Sequence, residues 1–227
     1  MERPILLIGG GKGGVGKSLL SVALVDYVSV TDGRPFLVET DTSVPDVYKT
    51  YSGEIGAELV NLDEREGWID LVNLVERKPE STIVINTGAR NQTGISNFGK
   101  TLAKALPQLK RKLIVLWLID RKRESLELLL DFTEVLPEAE VHVVRNMYLG
   151  TEKKFELYNA SKMKGTIETS GGKSLNFPEL ADRVTDAMNK GRLTIAKACA
   201  ELSLGDRMEL ERWREECKAM LSEVIRE

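Results

Sequence analysis

The sequence contains few of the residues that build disulfide frameworks and metal sites. Among its 227 residues there are two cysteines, Cys199 and Cys217, and one histidine, His142. The cysteines form neither a Cys-x-x-Cys motif nor another spacing typical of metal ligands, which argues against a metal-cluster carrier and fits a reducing cytoplasm. Because His142 lies within a strand pattern, we expect a packed imidazole rather than a catalytic one.

The chain also lacks an excess of either charge and any long hydrophobic run. It has 32 lysines and arginines against 35 aspartates and glutamates, a formal net charge of -3, so no global basic field predicts a nucleic-acid partner. The first apolar run covers only residues 5–8, which is too short for a secretion signal or a membrane-spanning helix. The predicted last helix has a mixed acidic and basic polar face, whereas membrane-surface helices have a mainly basic one. We therefore expect a cytoplasmic protein without membrane insertion.

Strand-like apolar runs alternate with helix-length segments along most of the chain. Runs suited to parallel strands occur at residues 4–8, 35–39, 83–86, 113–119 and 141–145, with weaker candidates at 58–62 and 165–168. The helical segments cover residues 16–30, 68–77, 95–106, 123–136, 177–189, 194–203 and 207–226. This order predicts an α/β fold with a doubly wound, mainly parallel sheet and helices on both faces. No linker or repeat interrupts it, so we predict a single domain over residues 1–227, in which residues 193–227 form a helical C-terminal extension.

A glycine-rich segment follows the first predicted strand directly. Its sequence, GKGGVGKS at residues 11–18, has the spacing of a phosphate-binding loop in the expected strand-loop-helix context. Glycines allow successive backbone N–H groups to face an anion, and the helix that follows adds the positive end of its dipole. Lys17 is predicted to contact the β and γ phosphates, and Ser18 is predicted to ligate Mg²⁺. The residues of this segment predicted to contact the nucleotide are Gly11, Lys12, Gly13, Gly14, Val15, Gly16, Lys17, Ser18 and Leu19.

The loop contains an additional lysine, Lys12, which an ordinary phosphate loop does not need. The segment of residues 12–18 resembles the deviant Walker A motif of ParA/MinD-type P-loop ATPases. The resemblance implies ATP or ADP and Mg²⁺ as ligands and catalytic roles for Lys12 and Lys17. It also implies a nucleotide-dependent homodimer in which Lys12 contacts the nucleotide of the other subunit, where a cation offsets charge in the transition state. The alternative for Lys12 is a solvated loop residue.

Acidic residues follow the second predicted strand, in the sequence ETD at residues 39–41. This segment resembles the first switch of the same ATPases, in which the second acid of an acid-x-Asp pattern helps to hold the water shell of Mg²⁺ and to position the attacking water. Asp41 takes that place, and we predict that it acts with Ser18 at the metal. The alternative is a solvated turn acid. Asp46 is expected to cap a short helix that begins at Val47.

Two asparagines follow later strands. Asn86 stands where the second switch of the family usually has an aspartate, and a neutral amide holds Mg²⁺-bound water less strongly than a carboxylate does. We therefore expect slow or partner-dependent hydrolysis, and a module that binds nucleotide without hydrolysing it stays open. The backbone N–H groups of Thr87 and Gly88 are candidate contacts for the γ-phosphate. Asn146 resembles the asparagine with which these ATPases recognise adenine, and its alternative role is to cap a strand end or a turn.

A narrower likeness covers residues 39–41, 85–89 and 192–213, which resemble TraL-type proteins of plasmid conjugal transfer. It implies a bacterial, ATP-driven dimer switch in conjugation, mobilisation or partition, with DNA or a plasmid-transfer protein as a partner. The basic cluster at residues 121–123 is the candidate DNA contact, and a solvated charged loop is its alternative. An ATP-dependent metabolic enzyme of the dethiobiotin synthetase type is a competing interpretation on the same fold, although the sequence contains no distinct substrate motif.

Overall fold

The computed structural model describes residues 3–11 and 13–225, whose strands form one seven-stranded sheet. The strands are β1 (Ile5–Gly9), β2 (Pro35–Glu39), β3 (Gly56–Leu59), β4 (Thr82–Asn86), β5 (Leu113–Ile119), β6 (Glu140–Asn146) and β7 (Ser174–Phe177). Their order across the sheet is β3-β2-β4-β1-β5-β6-β7, and each neighbouring pair is parallel. The carboxyl ends of these strands therefore lie along one edge, where ligands bind in open α/β sheets.

Helices cover both faces of this sheet. They are α1 (Lys17–Thr31), α2 (Asp46–Tyr51), α3 (Arg65–Arg77), α4 (Gln92–Phe98), α5 (Lys100–Leu109), α6 (Arg123–Val135), α7 (Glu156–Asn159), α8 (Lys162–Thr169), α9 (Asp182–Gly191), α10 (Ile195–Glu201) and α11 (Leu204–Ser222). One hydrophobic core lies between the sheet and α1, α2, α9, α10 and α11, and a second core lies between the opposite face and α3 to α8. The predicted doubly wound, parallel α/β fold is confirmed.

The side chains of each central strand alternate between the two cores. In β1, Leu6 and Ile8 pack on the α1 side, whereas Ile5 and Leu7 pack on the opposite side. Because both faces of the sheet are covered, the central strands are apolar at almost every position, which explains their continuous hydrophobic runs. Each such buried side chain contributes about 1.5–3 kcal/mol to the free energy of unfolding.

Helix α11 lies against α1 and the edge strand β7. Trp213 is fully buried, and its indole N–H donates to the carbonyl oxygen of Pro178 (2.9 Å). Arg214 donates from two nitrogens to the two carboxylate oxygens of Asp26 on α1 (2.6 and 3.0 Å). The last helices therefore share the core of the phosphate-loop helix. No helix in the described part of the chain combines the length and the apolarity needed to cross a bilayer.

The structure corrects the sequence prediction at the β7 edge of the sheet. Residues 165–168, predicted as a weak strand, lie within helix α8. The edge strand is β7, whose last residue the sequence prediction placed in a helix over residues 177–189. That helix begins only at Asp182. The strand has just two buried side chains, Leu175 and Phe177, and so short an alternation gives no clear period in the sequence.

Several other boundaries differ from the prediction. Strand β3 covers Gly56–Leu59 rather than residues 58–62, and residues 95–106 form two helices that meet at Gly99. Helix α11 begins at Leu204 rather than at residue 207, and it ends at Ser222, while residue 226 lies outside the described residues. Asp46 is the first residue of α2, and Pro45 takes the cap position without a side-chain hydrogen bond.

Candidate nucleotide-binding site

The loop between β1 and α1 begins at the carboxyl end of β1. This strand is in the middle of the sheet, with β4 on one side and β5 on the other. Three of the loop's glycines have backbone conformations that other residues rarely adopt, since φ is +153° at Gly10, +80° at Gly14 and +104° at Gly16. A Cβ atom at Gly16 would also lie 2.5 Å from the side-chain nitrogen of Asn146. The loop is therefore shaped by glycine at these positions, and its backbone is open to a close approach by another group.

Lys17, the first residue of α1, is buried although it carries a charge. It is only 7% exposed, and its Nζ donates to the carbonyl oxygen of Gly10 (3.2 Å). Burial lowers the pKa of Lys17 from 10.5 to about 8, while the negative charge of Asp41 acts in the opposite direction. A lysine in this environment gains more from a bound anion than a solvated lysine does, because it has already lost most of its water.

The other predicted loop residues differ in exposure: Gly13, Gly14 and Ser18 are exposed, Gly11, Gly16 and Leu19 are half-buried, and Val15 is buried. The Val15 side chain belongs to the core on the α1 side, which attaches the loop to the body of the fold. Lys12 lies outside the described residues. Its role at the nucleotide of another subunit therefore stays a prediction.

Asp41 follows β2, and its carboxylate is held by its own turn. Oδ1 accepts hydrogen bonds from the backbone N–H and the hydroxyl of Ser43 (3.2 and 2.6 Å) and from the N–H of Val44 (3.1 Å). Burial acts to raise the pKa of Asp41, but these hydrogen bonds and the charge of Lys17 together bring it below its ordinary value. The structure thus places an ionised carboxylate within the electrostatic field of the loop lysine.

Strand pairing places Asn86 beside Glu39, to which the sequence prediction assigned no role. The two residues are register partners at the ends of β2 and β4, and both are buried. Asn86 Nδ2 donates to both carboxylate oxygens of Glu39 (3.0 Å each), and Asn86 Oδ1 accepts from the hydroxyl of Ser21 on α1 (2.8 Å). Burial raises the pKa of Glu39 from 4.5 to about 7, although the hydrogen bond from Asn86 opposes this shift. The site therefore contains a buried acid, Glu39, on the strand directly beside the one that carries Asn86.

Another buried asparagine, Asn91, joins the loops that follow β2 and β4. Its Oδ1 accepts from the hydroxyl of Thr40 (2.5 Å) and from the N–H of Gly88 (2.6 Å). The N–H of Thr87 donates to a carbonyl oxygen of β1 (3.2 Å). The sequence prediction considered both of these N–H groups as contacts for the γ-phosphate. In this structure both N–H groups have partners within the protein. A contact with the γ-phosphate would require these hydrogen bonds to be exchanged, and it stays a prediction.

Asn146 connects the end of β6 to the phosphate loop. Its Nδ2 donates to the carbonyl oxygen of Val15 (2.9 Å), and its Oδ1 accepts from the N–H of Tyr148 (3.1 Å). The second contact caps the short 3₁₀ turn Met147–Leu149. The capping role that the sequence left open is therefore present. Recognition of adenine stays a prediction, for which one N–H of the amide remains.

Another basic segment, residues 110–112, precedes β5, and its middle residue, Arg111, is buried and has a structural role, whereas Lys110 and Lys112 are exposed. The Arg111 guanidinium donates to the carbonyl oxygens of Arg3, Pro4, Val75, Lys78 and Ser81 (2.6 to 3.3 Å). The cluster at residues 121–123 is instead exposed at the carboxyl edge, where Arg123 pairs with Glu127 on the next helical turn (3.0 Å). All three side chains of this second cluster are exposed and therefore accessible to a partner.

No protein-family model matches the chain. The protein MobD of Acidithiobacillus ferrooxidans is 52% identical to it over 227 residues, which cover 100% of both chains. The chain belongs to the MobD family. This relationship concerns the whole length of the chain, whereas the likeness to TraL-type proteins stays a prediction.

Solved structures with low sequence identity share the fold of this MobD-family chain. A plasmid partition protein from Borrelia burgdorferi, solved with bound AMPPNP, has a TM-score of 0.64 at 15% identity and covers 98% of this chain and 100% of its own. The MinD cell division protein from Aquifex aeolicus has a TM-score of 0.54 at 13% identity and covers 98% of both chains. The fold is therefore that of the MinD/ParA-like P-loop proteins.

The donor set of the MobD-family chain fits a nucleoside phosphate with a divalent cation. The glycine loop and the buried Lys17 suit phosphate oxygens, and the oxygen atoms of Ser18 and Asp41 are the hard ligands that Mg²⁺ prefers. Within the described residues, no group of three or more His, Cys, Asp or Glu side chains could hold a metal. A cation at this loop would therefore need phosphate and water oxygens to complete its coordination.

The sequence prediction missed buried polar residues that surround the site, namely Ser21, Glu39 and Asn91. Glu39 had a local signal, since it is an acid that ends the apolar run of β2. Ser21 and Asn91 had none, because the contacts that join them to other strands, from Ser21 to Asn86 and from Thr40 to Asn91, are between residues distant in the sequence.

Proposed function

We propose that this protein binds ATP with Mg²⁺ at residues 11–18, hydrolyses it slowly and acts in plasmid mobilisation or partition as a nucleotide-dependent dimer. Lys17 is the observation that carries the proposal, because a charged side chain is buried at the first turn of α1 beside a glycine loop. Membership of the MobD family and the fold shared with a plasmid partition protein bound to AMPPNP support the biological role.

The phosphate loop would hold the nucleotide through its backbone and through Lys17. On binding, the Lys17 ammonium would exchange the Gly10 carbonyl oxygen for phosphate oxygens, and the N–H groups of the loop would donate to the same anion. Ser18 and Asp41 would hold Mg²⁺, which neutralises phosphate charge when bound. Asp41, kept ionised by the donors of its own turn, would orient the attacking water.

The hydrolysis step would be slow, because position 86 carries an amide and the loop after β4 is already hydrogen-bonded within the chain. In the proposed dimer, Lys12 of each subunit would add a cation to the other subunit's nucleotide. A second candidate function, a module that binds nucleotide without hydrolysing it, is favoured by the internal hydrogen bonds of the Thr87 and Gly88 N–H groups.

Calorimetric titration with AMPPNP and Mg²⁺ tests nucleotide binding. Wild type is expected to bind, and Lys17→Ala is expected to lose about 2–3 kcal/mol of binding free energy, or about 30- to 150-fold in affinity, with the charged hydrogen bonds. Lys104→Ala, which removes an exposed lysine from α5, is the matched control and should bind like wild type. Absence of binding by wild type at millimolar nucleotide would refute the proposal.

Light scattering and phosphate release test the dimer and the reaction. The mass is expected to double with ATP, and Lys12→Ala is expected to reduce hydrolysis. An unchanged mass with ATP would contradict the dimer switch. Stable ATP binding without phosphate release, even after addition of DNA and plasmid-transfer proteins, would favour the non-hydrolysing module.

A further inference from the structure

Asn91 is a buried amide at the end of the turn that follows β4, and it is 1% exposed. Its Oδ1 accepts from the N–H of Gly88 (2.6 Å) and from the hydroxyl of Thr40 (2.5 Å), and its Nδ2 donates to Oδ1 of Asp63 (2.9 Å). The Thr40 hydroxyl is a second, more distant acceptor for the Gly88 N–H (3.2 Å). Asn91 thus joins the loops that follow β2, β3 and β4 at the carboxyl edge of the sheet.

The turn that Asn91 closes lies between the two parts of the proposed nucleotide site. A Cβ atom at Gly13 of the phosphate loop would lie 4.0 Å from the Cβ of Ala89. On the other side, a Cβ atom at Gly88 would lie 3.1 Å from the Cα of Asp41. The Gly88 N–H is therefore a donor close to both segments, and its acceptor in this structure belongs to the chain itself.

We propose that Asn91 is a positioning residue whose amide oxygen holds the Gly88 N–H until the terminal phosphate of a nucleoside triphosphate takes its place. The inference rests on the proposed binding of ATP and concerns the regulation of the same site. A phosphate oxygen is charged, and hydrogen bonds to ionised acceptors are about twice as strong as those to neutral ones. A triphosphate therefore displaces the amide, whereas a diphosphate has no third phosphate with which to do so.

Release of Asn91 would reach the loop after β3. Asp63 of that loop accepts from Asn91 Nδ2, and the backbone of the loop packs directly on α4, where a Cβ atom at Gly94 would overlap the carbonyl oxygen of Leu62. Because Asn91 is the residue before α4, its movement is expected to alter residues 60–64. The loop after β3 should therefore distinguish a triphosphate from a diphosphate, although none of its residues belongs to the proposed binding site.

The ratio of AMPPNP affinity to ADP affinity, both with Mg²⁺, measures the competition for the Gly88 N–H. Asn91→Ala removes the internal acceptor, so the ratio is expected to rise about fivefold, which corresponds to one neutral hydrogen bond. Asn73→Ala, at an exposed asparagine of α3, is the matched control and should keep the wild-type ratio. A merely structural role for Asn91 predicts a loosened turn and a ratio that falls or stays the same, and either result would overturn the inference.

Hydrogen exchange of residues 60–64 tests the connection to the loop after β3, and it is first measured on wild type. Exchange with AMPPNP is expected to be about threefold faster than exchange with ADP. Asp63→Ala alters an exposed residue and should remove this difference while AMPPNP binding persists. Equal exchange of wild type with the two nucleotides, or a difference that persists in Asp63→Ala, would overturn the inference even if Asn91→Ala does not fold.

Failure of the proposed function is distinguishable from failure of this inference. A wild-type protein that binds neither AMPPNP nor ADP would refute both, and this result is seen before any variant is compared. A wild-type protein that binds both nucleotides, with an affinity ratio that Asn91→Ala does not raise, would refute the inference alone.

Discussion

Replacing Lys17 with methionine should stabilise the protein without nucleotide while removing the ability of nucleotide to stabilise it further. The difference between the ordinary Lys17 pKa of 10.5 and its value of about 8 in the fold corresponds to an unfavourable contribution of about 3 kcal/mol at neutral pH. Methionine has a similar length and no charge to desolvate. The substitution should therefore gain the roughly 3 kcal/mol that desolvation of Lys17 costs, and loss of the hydrogen bond to Gly10 offsets about 1 kcal/mol of this gain in stability.

The net gain of about 2 kcal/mol should raise the melting temperature by about 4–8 °C for a chain of this size. The effect has a defined pH dependence. Between pH 8 and pH 10.5 the unfolded chain binds the Lys17 proton and the folded protein releases it, so the stability of wild type rises with pH in this window. The advantage of Lys17→Met should therefore be full at pH 7 and should vanish by about pH 10.5.

Urea unfolding at pH 7 and pH 10 measures both parts of this prediction, with Lys104→Met on the surface of α5 as the control. Addition of AMPPNP and Mg²⁺ should raise the melting temperature of wild type and of the control but not that of Lys17→Met. Two results would refute the argument that desolvation of Lys17 is the dominant effect. One is a Lys17→Met protein that is less stable than wild type at pH 7, and the other is a gain in stability over wild type that is the same at pH 7 and pH 10.

Further predictions concern the remaining parts of the site and its support. Burial raises the pKa of Glu39 from 4.5 to about 7, so the folded protein binds the proton of this carboxyl group more tightly than the unfolded chain does. The free energy of unfolding should therefore fall by about 3 kcal/mol as the pH rises from 4.5 to about 7. In Glu39→Gln, the urea midpoint should lose this part of its pH dependence. A midpoint that changes with pH as much as that of wild type would contradict the prediction. Asp26→Ala, which leaves the partly buried Arg214 without its partner, should cost about 2 kcal/mol, whereas Glu127→Ala in an exposed pair should cost about 0.5 kcal/mol or less in the same assay. Gly16→Ala would place an alanine at a positive φ and bring its Cβ against the side chain of Asn146, so it should lower the melting temperature by several degrees and weaken AMPPNP binding. A Gly16→Ala protein that binds AMPPNP as tightly as wild type would contradict this.

The parts of the fold that the sequence predicted well are those whose signal is local. Strands β2 and β5 match the predicted residues because each is a continuous apolar run that is buried on both faces. The phosphate-loop motif is equally local, since its glycines, Lys17 and Ser18 are consecutive. Strand β7 was missed for the opposite reason, because a short edge strand next to a proline has almost no period of its own.

The surroundings of the site could not be predicted, because they depend on which strands become neighbours. The sequence determined that a glycine loop with two lysines joins an apolar strand to a helix in an α/β chain, since that pattern needs only consecutive residues. Only the tertiary structure decided that β2 lies beside β4, and this pairing brings Glu39 to Asn86 and Thr40 to Asn91. Those polar groups are buried because of the parallel register between the two strands, and that register cannot be read from any single segment of the sequence.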